Sequence, residues 1–208
     1  MKWVMRNLDS FLQSLEQNAW ACADHLLPED LEKDLFAQGH QAWEAGLFQE
    51  AHIGRGITKA RQEDIRGDSI LWLEPGTPGS ASDRFLAWAE DFRRILNQQY
   101  FLGLRSAEFH FARYPQGKAY QKHLDQHRGS PARKISLVLY LNPQWAPADG
   151  GELCLYSPEP EEREIGRVLP QGGRLVIFRS DLIPHEVLPC AQTRWSLTGW
   201  FRDDYIAR

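Results

Sequence analysis

From about residue 105 the hydrophobic pattern of this 208-residue chain changes period, and that change limits the folds open to it. Glu108-Phe109-His110-Phe111-Ala112 alternates, as a half-buried strand does when successive side chains point to opposite faces. Residues 134–142, 152–156, 174–178 and 194–202 are short runs of the same kind. Turn signals separate them: Tyr114-Pro115-Gln116-Gly117, Asp149-Gly150-Gly151 and Pro170-Gln171-Gly172-Gly173. Many short strands at this spacing predict a sandwich or barrel. No internal repeat stands out, and no linker separates two folded halves.

The first hundred residues read differently. Leu8, Leu12, Leu15 and Ala19 recur at helical spacing, and a second helix is expected from about Pro28, carrying Leu31 and Leu35 on to Trp43 and stopping at Gly46. A third is expected over 82–99, capped by Ser82 or Asp83, with Phe85, Trp88, Phe92, Ile95 and Leu96 as its buried stripe. Between these two, residues 47–74 are charged and interrupted by Gly, with one strand-like piece at 69–73. Segments of this kind are often mobile and functional, so 47–68 is expected to be a mobile loop. The fold class is therefore α+β, mainly β: helices on one side of an antiparallel double-stranded β-helix, or jelly-roll, core. One domain over 1–208 is expected, with helical support in 1–104 and the jelly roll in 105–203.

Composition removes several function classes. Hydrophobic residues at 42% and charged residues at 25% give an ordinary globular balance, which excludes a disordered or low-complexity chain. No apolar run is long enough to span a membrane, and Arg6 and Asp9 interrupt the start before a signal-peptide core could form. Cys22, Cys154 and Cys190 are odd in number and far apart, so a reducing cytoplasm is the expected compartment. A net charge of −4 argues against a nucleic-acid partner, although a locally basic groove stays open.

The chemistry concentrates in His123-Leu124-Asp125. On a strand, residues i and i+2 share a face, so the imidazole and carboxylate can take adjacent positions on one metal. Alone the triplet means little, since roughly 0.4 such matches arise by chance in a chain of this composition. Sixty residues on comes Ile183-Pro184-His185-Glu186-Val187, and nine residues after His185 stands Arg194. Two histidines and a carboxylate form the facial set that suits non-haem Fe(II), with open positions for a bidentate acid and dioxygen. Zinc fits less well, because catalytic zinc keeps a single open position. Arg194 offers a planar, permanently charged fork for a carboxylate at the far end of that acid. A dicarboxylate with a 2-keto group fits both ends, which is 2-oxoglutarate. His25, His40, His52 and His110 lack partner spacing and read as structural. His127 reads as exposed and not a ligand.

These residues resemble the 2-oxoglutarate- and Fe(II)-dependent oxygenases, and within them the prolyl 4-hydroxylases of the hypoxia-inducible-factor type. The resemblance rests on Asp64-Ile65-Arg66-Gly67-Asp68-Ser69-Ile70-Leu71-Trp72, on Tyr114-Pro115 followed by Ala119-Tyr120-Gln121-Lys122-His123-Leu124-Asp125, and on Leu139-Tyr140-Leu141-Asn142. Gly150-Gly151-Glu152-Leu153 and Pro184-His185-Glu186-Val187 with Arg194 complete it. It covers about residues 20–203, and Ile65-Arg66-Gly67-Asp68 separates this subgroup from more generic relatives.

Carried across by position, the resemblance implies His123, Asp125 and His185 as iron ligands and Arg194 as the anchor of the distal carboxylate of 2-oxoglutarate. Tyr140 would help hold that carboxylate, Tyr114 would lie beside the co-substrate, and Thr198 would line the same pocket. Arg66, Asp68, Tyr120, Arg133 and Trp200 would shape a peptide-binding mouth. Arg66 and Asp68 read equally well as an ion pair with each other or with Arg133. The implied reaction takes peptidyl-proline, dioxygen and 2-oxoglutarate to 4-hydroxyproline, succinate and carbon dioxide, with ascorbate as a supporting reductant. The chain carries little beyond such a core, so a microbial, monomeric member is expected. Its proline-bearing protein substrate would be a translation factor such as elongation factor Tu, and a role in oxygen sensing would follow from the family. Three other readings stay open: a hydroxylase of another residue or free amino acid, a nucleic-acid dealkylase, and a non-catalytic jelly-roll binding module. The dealkylases typically carry a second arginine six residues after the first, where this chain has Trp200.

Overall fold

The computed structural model describes residues 7–51, 66–126, 131–158 and 163–205. Among these are three helices: α1 (Leu8–Asn18), α2 (Glu29–Glu44) and α3 (Ala81–Tyr100). The strands are β1 (Trp20–Asp24), β2 (Gln49–Glu50), β3 (Ser69–Trp72), β4 (Ser106–Tyr114), β5 (Tyr120–His123) and β6 (Arg133–Tyr140). They continue with β7 (Leu153–Tyr156), β8 (Glu164–Val168), β9 (Arg174–Arg179), β10 (His185–Val187) and β11 (Arg194–Arg202). A larger sheet runs β1-β9-β6-β11-β4-β3-β2 and a smaller one β5-β10-β7-β8, with every pair antiparallel. From β4 onward the chain passes back and forth between the sheets in jelly-roll order, with β7 and β8 as an antiparallel pair within the smaller sheet.

Alternation along the larger sheet sorts its side chains into two cores. Phe109, Phe111, Ile135, Leu137, Leu139, Leu175, Ile177, Leu197 and Phe201 face the helices and pack on Leu12 and Leu15 of α1, Leu31 and Leu35 of α2, and Phe85, Trp88 and Phe92 of α3. The opposite face turns Ala112, Tyr114, Tyr140, Val176 and Phe178 toward Leu153, Leu155 and Val187 of the smaller sheet. β4, read as half-buried, is thus buried on both faces over most of its length, by helices on one side and the second sheet on the other.

Local differences from the expected elements have physical causes. α3 begins at Ala81, because Ser80 Oγ accepts the Asp83 amide at 3.2 Å, while the Ser82 hydroxyl accepts from Gln38 Nε2 at 2.8 Å. Ser80, not Ser82 or Asp83, is the cap. β1 follows α1 after the single left-handed residue Ala19 (φ 61°) and pairs with β9 along the sheet edge. Its Ala23 and Cys22 give too weak an alternation to read as a strand. Of the segment expected to be a mobile loop, residues 52–65 lie outside the described residues. Its flanks hold β2 and an antiparallel bridge from Arg66 to Tyr120.

Register in the larger sheet depends on Gly199 of β11, which pairs with Phe109 on β4 and Leu137 on β6. A Cβ there would fall on the Glu108 carbonyl oxygen and within 2.8 Å of the Phe109 Cα, both backbone and unable to swing away. Gly199→Ala is therefore expected to lower unfolding stability by about 1–3 kcal/mol, measured by urea denaturation; stability equal to the parent would show that the two strands separate freely.

Candidate active site

Where β5 ends, the chain bends and turns Asp125 inward, so that the triplet converges through a bend and not through strand pleating. His185 opens β10 and lies directly opposite His123 in the register. The ligand-type atoms of His123, Asp125 and His185 all fall within 4.8 Å of one another. His123 Nε2 is 3.5 Å from Asp125 Oδ1, and His185 Nε2 is 3.6 Å from Asp125 Oδ2. Both rings use Nδ1 on a backbone carbonyl, that of Gln121 at 2.7 Å and that of Ile183 at 3.1 Å. A proton on each Nδ1 leaves each Nε2 as a lone pair aimed at the carboxylate.

Electrostatics agree with that tautomer. Burial pushes His185 down to about 4, despite the neighbouring Asp125 charge, so its imidazole is neutral near pH 7. Burial works to raise the Asp125 carboxyl, but the adjacent His185 and His123, each able to turn a protonated Nε2 toward it when no metal ion lies between them, and the Ser136 hydroxyl outweigh it and hold the group below the ordinary carboxylate range. Lone pairs and a carboxylate facing one another in a buried corner repel unless a cation lies between them. The residues therefore fit a divalent metal, and the mixed nitrogen and oxygen donor set fits iron.

At the other end of the same cavity stands Arg194 on β11. It is buried and donates from Nη1 to the Gly151 carbonyl at 2.8 Å, while its Nε has no partner among the described residues. That carbonyl is presented by Gly150 and Gly151, both at positive φ (64° and 72°), where L side chains are strained. Tyr114 lies under the guanidinium, with Cζ 4.3 Å from its ring centroid, and the Tyr140 ring lies at 5.8 Å. Asn142 fixes the start of β11 by accepting the Trp195 amide at 2.7 Å and donating to the Pro170 carbonyl at 2.6 Å. A buried guanidinium with no carboxylate beside it among the described residues leaves room for one from a ligand.

Of the twelve residues singled out by sequence, eleven line this one cavity. Thr198 lies on β11 with its hydroxyl 3.4 Å from that of Ser196. Arg66 and Asp68 form a buried two-pronged pair, Nε to Oδ1 at 2.6 Å and Nη2 to Oδ2 at 2.9 Å, which decides their pairing in favour of each other. Arg66 also covers the Tyr120 ring at 5.0 Å, and Tyr120 stacks on His123 at 3.7 Å. Arg133 is the exception. It bonds Glu108 at 3.1 Å and lies 3.4 Å over Trp200, meeting the cavity only through that ring.

Sequence reasoning missed three contributors. Ser136 donates to Asp125 Oδ2 at 2.6 Å and contacts the Ser180 hydroxyl at 2.8 Å, a buried relay that orients the carboxylate. His110, read as structural, lines the cavity. The signal for both was their parity: His110 and Ser136 share the inward face with Thr198 and Trp200, their partners on β11. Removing the hydroxyl in Ser136→Ala is expected to weaken Fe(II) or Mn(II) binding by about 10–100-fold, read by competition with a chelator. Unchanged affinity would show that Asp125 orients without it.

The 2OG-Fe(II) oxygenase superfamily profile matches residues 109–202. The hypoxia-inducible factor prolyl hydroxylase of Caenorhabditis elegans is 33% identical over 206 residues, which is 92% of this chain and 28% of that protein. Human Egl nine homolog 1 is 34% identical over 148 residues, 68% of this chain and 34% of that one. The chain thus spans about a third of these relatives' length. Among solved structures, a Pseudomonas putida prolyl-4-hydroxylase superposes with TM-score 0.83 at 40% identity, covering 95% of this chain and 100% of that one. A prolyl hydroxylase from Trichoplax adhaerens, solved with a hypoxia inducible factor peptide fragment, gives 0.81 at 26% identity, covering 94% of this chain and 88% of that one. With the same three metal-type donors and buried arginine expected from its sequence now gathered in one cavity, the chain belongs to the 2OG-Fe(II) oxygenase superfamily and, within it, groups with the prolyl hydroxylases.

Proposed function

We propose that this protein is a 2-oxoglutarate- and Fe(II)-dependent dioxygenase that hydroxylates a prolyl residue at its 4-position in a protein substrate, with release of succinate and carbon dioxide. The observation that carries the reading is the pairing of opposite charges in one cavity. An anionic metal site stands at one end and the buried, carboxylate-free Arg194 at the other. A diacid with a metal-chelating keto end matches both.

Bound iron would supply the activation of dioxygen. The chain's own residues do the rest. Arg194, backed by the Tyr114 and Tyr140 rings, binds and orients the distal carboxylate. Burial pushes the Tyr140 hydroxyl up to about 12, so it stays protonated and able to donate to that carboxylate. Leu153, Val138 and Phe178 make the middle of the cavity apolar, which excludes water from the reacting centre. Arg66, Asp68, Tyr120 and Trp200 line the same cavity and would receive the peptide. Arg133 would act by bracing Trp200.

The first substrate to test is a proline in a translation factor such as elongation factor Tu. The chain would act as one catalytic unit and a monomer in a reducing cytoplasm, which its three unpaired cysteines favour, with ascorbate supporting turnover. A role in oxygen sensing depends on its oxygen affinity. Mass spectrometry of host proteins with and without the enzyme, searching for one added oxygen on proline, identifies the substrate. Modification at a residue other than proline would overturn the assignment.

Two outcomes are expected from variants. His123→Ala and Asp125→Ala should abolish Fe(II)-dependent succinate release from 2-oxoglutarate, and full activity in either would remove that residue from the metal site. Arg194→Ala should weaken 2-oxoglutarate binding by about 2–5 kcal/mol, measured by calorimetry; unaltered affinity would remove Arg194 as the anchor.

A further inference from the structure

His110 is a buried polar side chain whose two ring nitrogens both lack a hydrogen-bond partner among the described residues. Leaving such a group unsatisfied is costly. Trp72 lies edge-on to the ring at a centroid separation of 4.8 Å, and Trp200 is tilted against it at 5.6 Å. An N–H directed at an indole face accounts for at most one of the two nitrogens. Burial pushes the ring down to about 3, so near pH 7 it is a neutral imidazole with one donor and one acceptor.

The sheet register locates this ring along the cavity. Tyr114 pairs with Arg194, Ala112 with Ser196, and His110 with Thr198 on successive inward-facing rungs of β4 and β11. Rungs on one face are spaced by two residues, about 7 Å. The Arg194 guanidinium lies between Tyr114 and Tyr140, and Tyr140 shares the rung of Ser196. A five-carbon diacid built from four C–C bonds of about 1.5 Å spans about 5 Å between its carboxyl carbons. Starting from a guanidinium that lies between the first two rungs and adding a charge-assisted contact of about 3 Å, the far end of the diacid comes within about 3 Å of the rung of His110 and Thr198. One rung further, Ser136 pairs with Trp200 and holds the metal-site carboxylate.

Resting on the activity proposed above, we infer that His110 is a further co-substrate-binding residue, donating a hydrogen bond from its neutral ring to an oxygen of the 2-oxo-acid end of 2-oxoglutarate. Arg194 then selects the diacid by its distal charge, and His110 distinguishes the keto-acid end by a directional bond that adds no positive charge beside the metal.

The test is calorimetric binding of 2-oxoglutarate to the full chain loaded with Mn(II), comparing wild type with His110→Leu and His110→Gln. His110→Leu is expected to bind 2-oxoglutarate about ten- to hundredfold more weakly, and His110→Gln, which keeps a donor, to remain within about threefold of wild type. Affinity for Mn(II) itself should stay within about threefold in both, which a packing role would not predict. Equal 2-oxoglutarate affinity in wild type and His110→Leu overturns this inference alone. So does an equal loss in both variants, or a parallel loss of Mn(II) affinity. Failure of the wild-type protein to bind 2-oxoglutarate overturns the proposed activity, and this assignment with it.

Discussion

Everything the cavity does depends on the pairing of β11 with β4 on one side and β6 on the other. That three-strand register sets Arg194, Ser196, Thr198 and Trp200 on the inner face and gives Trp195, Leu197 and Phe201 to the helices. A slip of one residue would exchange the two sets, driving a guanidinium into an apolar core and tryptophan into the reaction chamber. The burial of Leu197, Phe201, Phe109 and Phe111 against α2 and α3 therefore holds the polar residues in place, although none of those apolar side chains touches the cavity. Asn142 adds a local lock at the point where β11 enters.

The two ends of the cavity present opposite electrostatic situations in the same low-dielectric space. At one end a carboxylate and two lone pairs face each other, and at the other a guanidinium lies on aromatic rings with a single carbonyl for company. Each is costly to bury without a counter-charge. A metal and a diacid relieve both at once, so part of the free energy of ligand binding is stored in the folded chain as unmatched charge. The Arg66–Asp68 pair shows the contrasting design: a partly buried guanidinium and a buried carboxylate, matched to each other and thus free to serve as a rigid part of the rim.

Much of this was legible because period and chemistry coincide. The central strands β4, β6, β9 and β11 carry long apolar stretches because they lie between the helices and the second sheet, and their sequence advertises it. The edge strands β1, β2 and β8 were silent, since an edge strand has few neighbours to satisfy and tolerates residues such as Asp24, Gln49 and Glu164. Among site residues, charged and metal-binding types at fixed spacing stood out, whereas Ser136 and His110 did not. A serine inside an alternating strand looks like a tolerated small residue, and a histidine between phenylalanines looks like filler. Only the three-dimensional pairing shows that their inward face is the one facing the cavity. The triplet His123-Leu124-Asp125 was legible for an incomplete reason, as its convergence comes from a bend anchored by Ser136.

The metal donors come from the smaller sheet and the bend that follows its strand β5, and they are tied to the larger sheet. His123 and His185 belong to β5 and β10 of the smaller sheet, while Asp125 is tied through Ser136 to β6 of the larger one. β5 is itself an edge strand, held by three-residue β10 and by the bridge to Arg66. An ion bound there would tie the edge strand β5 to β10 directly and to β6 through Asp125 and Ser136. Metal binding and the hold on that edge would then be thermodynamically linked, so that an ion bound only by the folded chain would also stabilise this end of the smaller sheet.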